Sequence, residues 1–430
     1  GRCITTLPPS LGDLYGSGVA VYIRYHPLHN RLMRNSVALI FSIFLTLLCA
    51  CSNTETPVFG ELERLSPPGS GEVAGPRFST GADGGLVLSW MEPAEHGTRL
   101  RYARLVEGEF AAAIDVVTEP RMFVNWADLP SVMHVDGEHW VAHWLRYSAD
   151  KTYSYDIVVS QSFDGGNTWA DAVAAHTDGT PTEHGFASMH REAGGVALLW
   201  LDGRNTPEGP MTLRSAVVTP EGTLTQEQMV DDSVCDCCQT DVAVSSAGPV
   251  AAYRNRTIDE TRDIYIARFS EGAWEEGVAL HDDNWVIPGC PVNGPSIVAR
   301  GEHVAVAWFS AANDRPVVRV VTSTNGGITF GAPIEIAAGR IAGYVGLALL
   351  DDQSLAVSWV GRNESGSNSL NLTHVTAAGL AGQQLTIADI EQLRVFPQLG
   401  YQEGNLFLVW TDEDGDDRHM RAERVPVALP

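Results

Sequence analysis

The chain has 430 residues, 44% of them hydrophobic and 8% aromatic, so it can bury a large packed core. Its 42 glycines and 23 prolines fall among short Val/Ile/Leu/Ala runs, which excludes long amphipathic helices and coiled coils and leaves an all-β architecture. With 53 acidic residues against 28 basic ones, the formal net charge of −25 repels phosphate backbones and anionic lipid head groups and excludes nucleic acid as a partner.

Residues 1–32 show no periodic pattern and are read as a non-native upstream extension outside the fold. Met33-Arg34-Asn35 and the apolar run from Ser36 to Leu48 have the charged start and short hydrophobic stretch of an export signal, too short to span a bilayer. That stretch ends in Leu48-Cys49-Ala50-Cys51, which resembles the lipobox of bacterial lipoproteins. The resemblance implies a signal peptide over 33–50, a lipidated Cys51 and a polar tether over 51–57. Ser52 behind the cysteine then favours the outer membrane, touched only through the lipid.

From residue 58 onward one phrase recurs: a Gly- or Asp-containing turn, then an alternating apolar strand ending in an aromatic residue. Its seven instances end at Trp90, Trp144, Trp200, Tyr253, Trp308, Trp359 and Trp410, spaced 51 to 56 residues apart. Repeats of that length built only from short strands predict four-stranded propeller blades, because one such sheet cannot bury both its faces alone. Seven blades are expected over 58–430, six being the alternative.

In the fifth repeat the strands are predicted over 295–300, 303–310, 317–323 and 330–337. The last repeat ends after three strands, near 396–401, 405–411 and 420–427, leaving an outer edge unpaired. The apolar segment from Val58 to Leu65 is expected to supply the missing strand and close the ring.

Between strands three and four of the second repeat stands Ser162-Phe163-Asp164-Gly165-Gly166-Asn167-Thr168-Trp169, a full match to the Asp-box pattern S-x-D-x-G-x-T-W. The fifth repeat carries a worn copy from Ser323 through Asn325 and Gly327 to Phe330. In such a hairpin the Asp or Asn accepts backbone N–H bonds, glycine supplies positive φ and the aromatic packs beneath the turn. Two boxes at one repeat position make residues 58–430 similar to the sialidase and neuraminidase superfamily, the BNR-repeat propellers. Seven repeats depart from the six blades of sialidases themselves.

That resemblance implies a glycan or small acidic ligand held at the face opposite the boxes. Its chemistry is an arginine cluster for the carboxylate, a tyrosine nucleophile polarised by a glutamate, and an acid for the leaving oxygen. Arg77, Arg204, Arg254 and Arg256 are the candidate anion binders, with Trp126 beside them; Asp128 is the candidate acid, and Glu183 with Tyr344 or Tyr253 the candidate pair. Arg77 lies in Gly75-Pro76-Arg77-Phe78, where sialidases carry Arg-Ile-Pro. For any single arginine the competing reading is a local ion pair across blades.

Four cysteines remain in the propeller, Cys235, Cys237, Cys238 and Cys290. Cys290 follows the cluster by about one repeat, which places it beside them in the next blade. In an oxidising compartment disulfides are expected; three cysteines in four residues near His176 and His184 also suit a copper or zinc site. The alternative to a glycan-recognising or glycan-hydrolysing propeller is therefore a non-catalytic one whose cysteine loop binds a metal or a protein.

Overall fold

Each repeated aromatic lies on the second strand of a blade, and all seven are buried. In the third blade that strand, Gly195–Asp202, is buried along its whole length, because neighbouring blades cover both of its faces. A computed structural model describes residues 58–69, 71–391, 396–414 and 417–429. The export signal, Cys51 and the tether lie outside these residues.

Among the described residues the strands form seven antiparallel sheets; six run inner, second, third and outer strand in chain order, and the seventh takes its outer strand from the N-terminal side. The one helical piece among them is the short turn Ala312–Asp314. Seven blades are thus present, not six. The ring closes as expected: Glu63–Leu65 pairs with the last long strand, Asp417–Pro426, placing Glu63 opposite Arg424 and Leu65 opposite Ala422. A further bridge joins Phe59 to Val427.

The fifth blade follows its predicted boundaries except that the outer strand is Ile334–Ala338 and starts four residues late. Phe330 instead packs against the apolar cluster between blades four and five, and Gly331 N–H donates to the Thr322 carbonyl to complete the turn.

Both boxes fold as hairpin clasps. Asp164 Oδ1 accepts the Thr168 N–H at 2.8 Å, and Ser162 Oγ accepts the Gly166 N–H at 2.9 Å. Asn325 and Ser323 repeat these bonds to Thr329 and Gly327 at 3.0 Å each. Trp169 reaches the neighbouring blade, where its ring meets Tyr102 edge-on at 6.2 Å.

Gly166 has φ +87°, and a Cβ there would collide with the Tyr102 hydroxyl. Gly166→Ala should therefore cost about 2 kcal/mol, from the left-handed backbone and the clash together. Calorimetry would register this as a lower unfolding midpoint. An unchanged midpoint would mean that the hairpin relaxes freely.

Candidate functional site

The seven inner strands surround an axial cavity of about 700 Å³. Where these strands begin, their sequences align as Pro76-Arg77, Pro130-Ser131, Ala187-Ser188, Thr240-Asp241, Pro295-Ser296 and Pro397-Gln398, and all six second members line the cavity. Side chains lace this rim from blade to blade. Arg77 Nη1 donates to the Leu129 carbonyl at 3.2 Å and the Ala187 carbonyl at 2.8 Å, and Thr240 Oγ1 donates to the Phe186 carbonyl at 2.8 Å. Asp241 Oδ2 accepts the Ile297 N–H at 2.9 Å.

The rim also holds strained backbone. Phe186, Val292 and Tyr344 have φ of +53°, +49° and +53°, and strand bulges separate Gly185 from Ser188 and Gly343 from Gly346. Left-handed conformations at bulky residues persist only where surrounding structure enforces them, and they concentrate at functional sites.

Three residues ahead of the aligned positions Ser131 and Ser296 stand Asp128 and Asn293. Asn293 Oδ1 leans across Gly343 of the next blade and accepts the Tyr344 N–H at 2.7 Å. Asp128 leans in the same way across Gly185 toward the Phe186 N–H. A Cβ on either glycine would collide with the visiting side chain, so glycine is required at both.

The two clasps differ chemically. Neither Asp128 oxygen has a hydrogen-bond partner of good geometry, although the residue is only 2% exposed. Burial pushes its carboxyl up to about 7; the Glu183 charge adds to the rise, while the Phe186 N–H and Arg77 oppose it. Arg77 is desolvated as well, which lowers its pKa against the pull of Asp241 and Asp128, two carboxylates that act on it through space. Arg77 and Asp128 thus face the cavity together, as a desolvated guanidinium and a carboxyl held close to neutrality.

Behind Asp128 lies a tyrosine–glutamate pair. Tyr155 Oη donates to Glu183 Oε1 at 2.6 Å, because the start of the third strand of blade two runs parallel to the segment leading into blade three. Tyr155 is fully buried and its ring stacks on Phe123 at 4.3 Å; burial and the nearby carboxylates hold its hydroxyl well above its usual pKa. Glu183 therefore meets Tyr155, and not Tyr344 or Tyr253. Tyr253 Oη donates to Asp231 at 2.7 Å, and Tyr344 packs edge-on against Phe396 at 4.9 Å. Nothing in the spacing marked Tyr155, since its partner arrives only across a blade boundary.

The arginines do not converge. Arg77 lines the cavity, whereas Arg204 pairs with Asp202 at 2.7 Å and Glu227 at 2.8 Å, and Arg256 pairs with Glu260 at 2.6 Å and Asp236 at 3.1 Å. Arg254 is buried between blades four and five, its guanidinium donating to the carbonyls of Asn293, Arg262 and Phe309. Arg254 ends a second strand and Arg204 and Arg256 lie two residues beyond the end of one, a layer out from the axis, where local acids and carbonyls reach them. Trp126 instead joins the rim, tilted against Phe396 at 5.4 Å, so Trp126, Phe396 and Tyr344 make a half-buried aromatic border.

Cys237 and Cys290 form a disulfide between the segments leading into blades four and five, as one-repeat spacing implied. Cys235 and Cys238 are buried with their sulfurs 2.6 Å apart, and Arg262 Nη1 donates to Cys235 Sγ at 3.4 Å. Burial would raise the Cys235 thiol, but the Cys238 and Cys237 hydrogen bonds and the charges of Arg254 and Arg262 prevail and hold it below its ordinary range. His184 stands apart from this loop; its imidazole lies among Asp156, His176, Asp178 and Asp202.

No family model matches the chain, and no curated protein matches it. In fold it resembles a Dyadobacter fermentans protein of unknown function (12% identity, TM-score 0.50, covering 87% of this chain and 100% of that one). It also resembles the α-L-arabinofuranosidase of Fusarium graminearum (10%, 0.48, 86% and 98%) and the α-L-arabinanase of Penicillium chrysogenum (15%, 0.45, 74% and 98%). At these identities the likeness is one of propeller architecture.

Proposed function

We propose that the chain recognises acidic glycans at the axial mouth and cleaves them by acid-assisted glycoside hydrolysis of the exo-α-sialidase type. The observation that carries this reading is the juxtaposition of Arg77 and Asp128 on an open cavity. A desolvated guanidinium whose nearest carboxylates act only through space favours an anionic ligand such as a sugar carboxylate. A carboxyl held near 7 is protonated in about half of the molecules at pH 7 and can deliver that proton to a leaving glycosidic oxygen. The border of Trp126, Phe396 and Tyr344 offers apolar faces for sugar rings.

In this reading Tyr155 with Glu183 would take the part that the sialidase resemblance gives to a tyrosine nucleophile and its glutamate; the pair sits behind Asp128 across the gap left by Gly185. Export and lipidation at Cys51 belong to the same proposal and would display the propeller on the cell envelope.

The test is a panel of fluorogenic acidic glycosides, sialosides and uronides, offered beside neutral arabinosides. Turnover of an acidic member supports the reading. Turnover of neutral members alone, or of none, overturns it.

A further inference from the structure

Four sulfurs meet where the segments leading into blades four and five run side by side. Asp236 and Cys237 form a turn that brings Cys235 and Cys238 together, with their side chains buried and their sulfurs 2.6 Å apart. The Cys237 sulfur lies within 4.8 Å of both and is bonded to that of Cys290, an exposed residue. A disulfide that reaches the surface therefore stands against a dithiol that solvent does not touch.

We propose that these four cysteines are a thiol–disulfide relay, in which the Cys235/Cys238 dithiol and the Cys237–Cys290 disulfide exchange oxidation states inside the folded protein. Cys235 is the attacking sulfur. Arg262 Nη1 donates to it at 3.4 Å and Arg254 adds a second positive charge, and such surroundings favour the thiolate, which is the form that attacks. Cys238 is unsuited to attack Cys237, because consecutive Cα atoms stand about 3.8 Å apart and a disulfide usually spans at least about 4.4 Å.

The exchange has two steps. The Cys235 thiol loses its proton and its sulfur bonds to Cys237 Sγ; the Cys237–Cys290 bond breaks, and Cys290 leaves as a thiolate that takes a proton from water. Cys238 then gives up its proton and bonds to Cys235 Sγ, and Cys237 leaves and is protonated in turn. Two electrons pass from the buried pair to the surface pair, two thiols are lost and two are formed, and no outside oxidant or reductant is consumed. The exchange would untie the two lead-in segments beside the rim. Asn293, three residues past Cys290, clasps the Tyr344 N–H, and its own N–H is turned to the Cys238 sulfur, so the sulfur pairing bears on the border of the cavity. The relay does not depend on the proposed hydrolysis.

The full chain, poised with dithiothreitol at one disulfide among these four cysteines and then freed of the reagent, provides the test. One half is quenched in acid at once; the other is kept folded with iodoacetamide for hours, the span over which disulfides reshuffle, and both are mapped by mass spectrometry of their peptides. Iodoacetamide captures exposed thiols as they appear, so the second half should lose its Cys237–Cys290 linkage and gather as a Cys235–Cys238 disulfide with labels on Cys237 and Cys290. Cys238→Ser should stall midway, with Cys290 labelled and Cys235 linked to Cys237, and Cys235→Ser should slow the labelling of Cys290 at least about tenfold. Circular dichroism checks the fold of each variant, and the unaltered chain gives its answer without them. A single linkage in every molecule of both halves, or a Cys237–Cys290 fraction that iodoacetamide does not drain, would overturn the relay; the glycoside assay would be unaffected.

Discussion

Asp128→Asn should lower turnover of an acidic glycoside by about a thousandfold while leaving the propeller folded. The fold supplies its own control, because Asn293 already makes the equivalent clasp in blade five through its amide oxygen. Asparagine at 128 can make the same reach across Gly185 but has no proton to give. In the unaltered chain, activity should fall as pH rises through about 7, where Asp128 loses the proton of the general acid.

The same carboxyl sets a stability difference of defined sign. Its folded pKa of about 7 lies above the ordinary carboxylate value of 3.8, so its contribution is fully present below about pH 4 and is lost as pH rises to about 7. Asp128→Asn removes this dependence. Urea unfolding should show the variant gaining on the unaltered chain between pH 4 and 7 and keeping the gain above it. Parallel pH profiles for the two proteins would rule out a proton held at Asp128.

Arg254→Met is expected to be the most damaging single change for stability, at about 3–5 kcal/mol. The guanidinium is 2% exposed, satisfies three carbonyls from two blades and lies over Trp285 at 4.9 Å. Methionine matches the stem but leaves those carbonyls without donors in a dry interface. Lysine restores the charge without the planar fork and should recover only part of the loss. Chemical denaturation would measure both, and a cost under 1 kcal/mol for Arg254→Met would show that water can replace the fork. Any activity lost in an Arg254 variant would therefore report unfolding and not a lost ligand contact. Arg256, whose partners are half exposed, should be far more tolerant.

The blade count, the closing strand and both hairpin clasps were legible because each is local or periodic. An aromatic about every 53 residues marks a strand that two neighbours must cover, and Ser162, Asp164 and Gly166 complete their clasp within one turn. The Cys237–Cys290 link was legible for the same reason, since a one-repeat offset becomes adjacency in a ring. Arg77 and Asp128 were found as charged residues at the starts of inner strands, the layer that faces the axis.

What spacing left open was which polar groups meet across blade boundaries. Arg204, Arg254 and Arg256 share the repeat position that made them candidates, yet that position lies one strand out, where each finds a different local partner. Tyr155 meets Glu183, and Asp156 meets His176 and His184, only because the wedge packing of blades two and three lays one strand start along the next. The sequence by itself therefore determined the seven-bladed ring and the residues facing its axis, through periodic burial that repeats along the chain. The tertiary structure decided the pairings of the acid, the tyrosine and the histidines, because contacts between blades depend on side-chain volume and strand twist, and no interval along the chain encodes these.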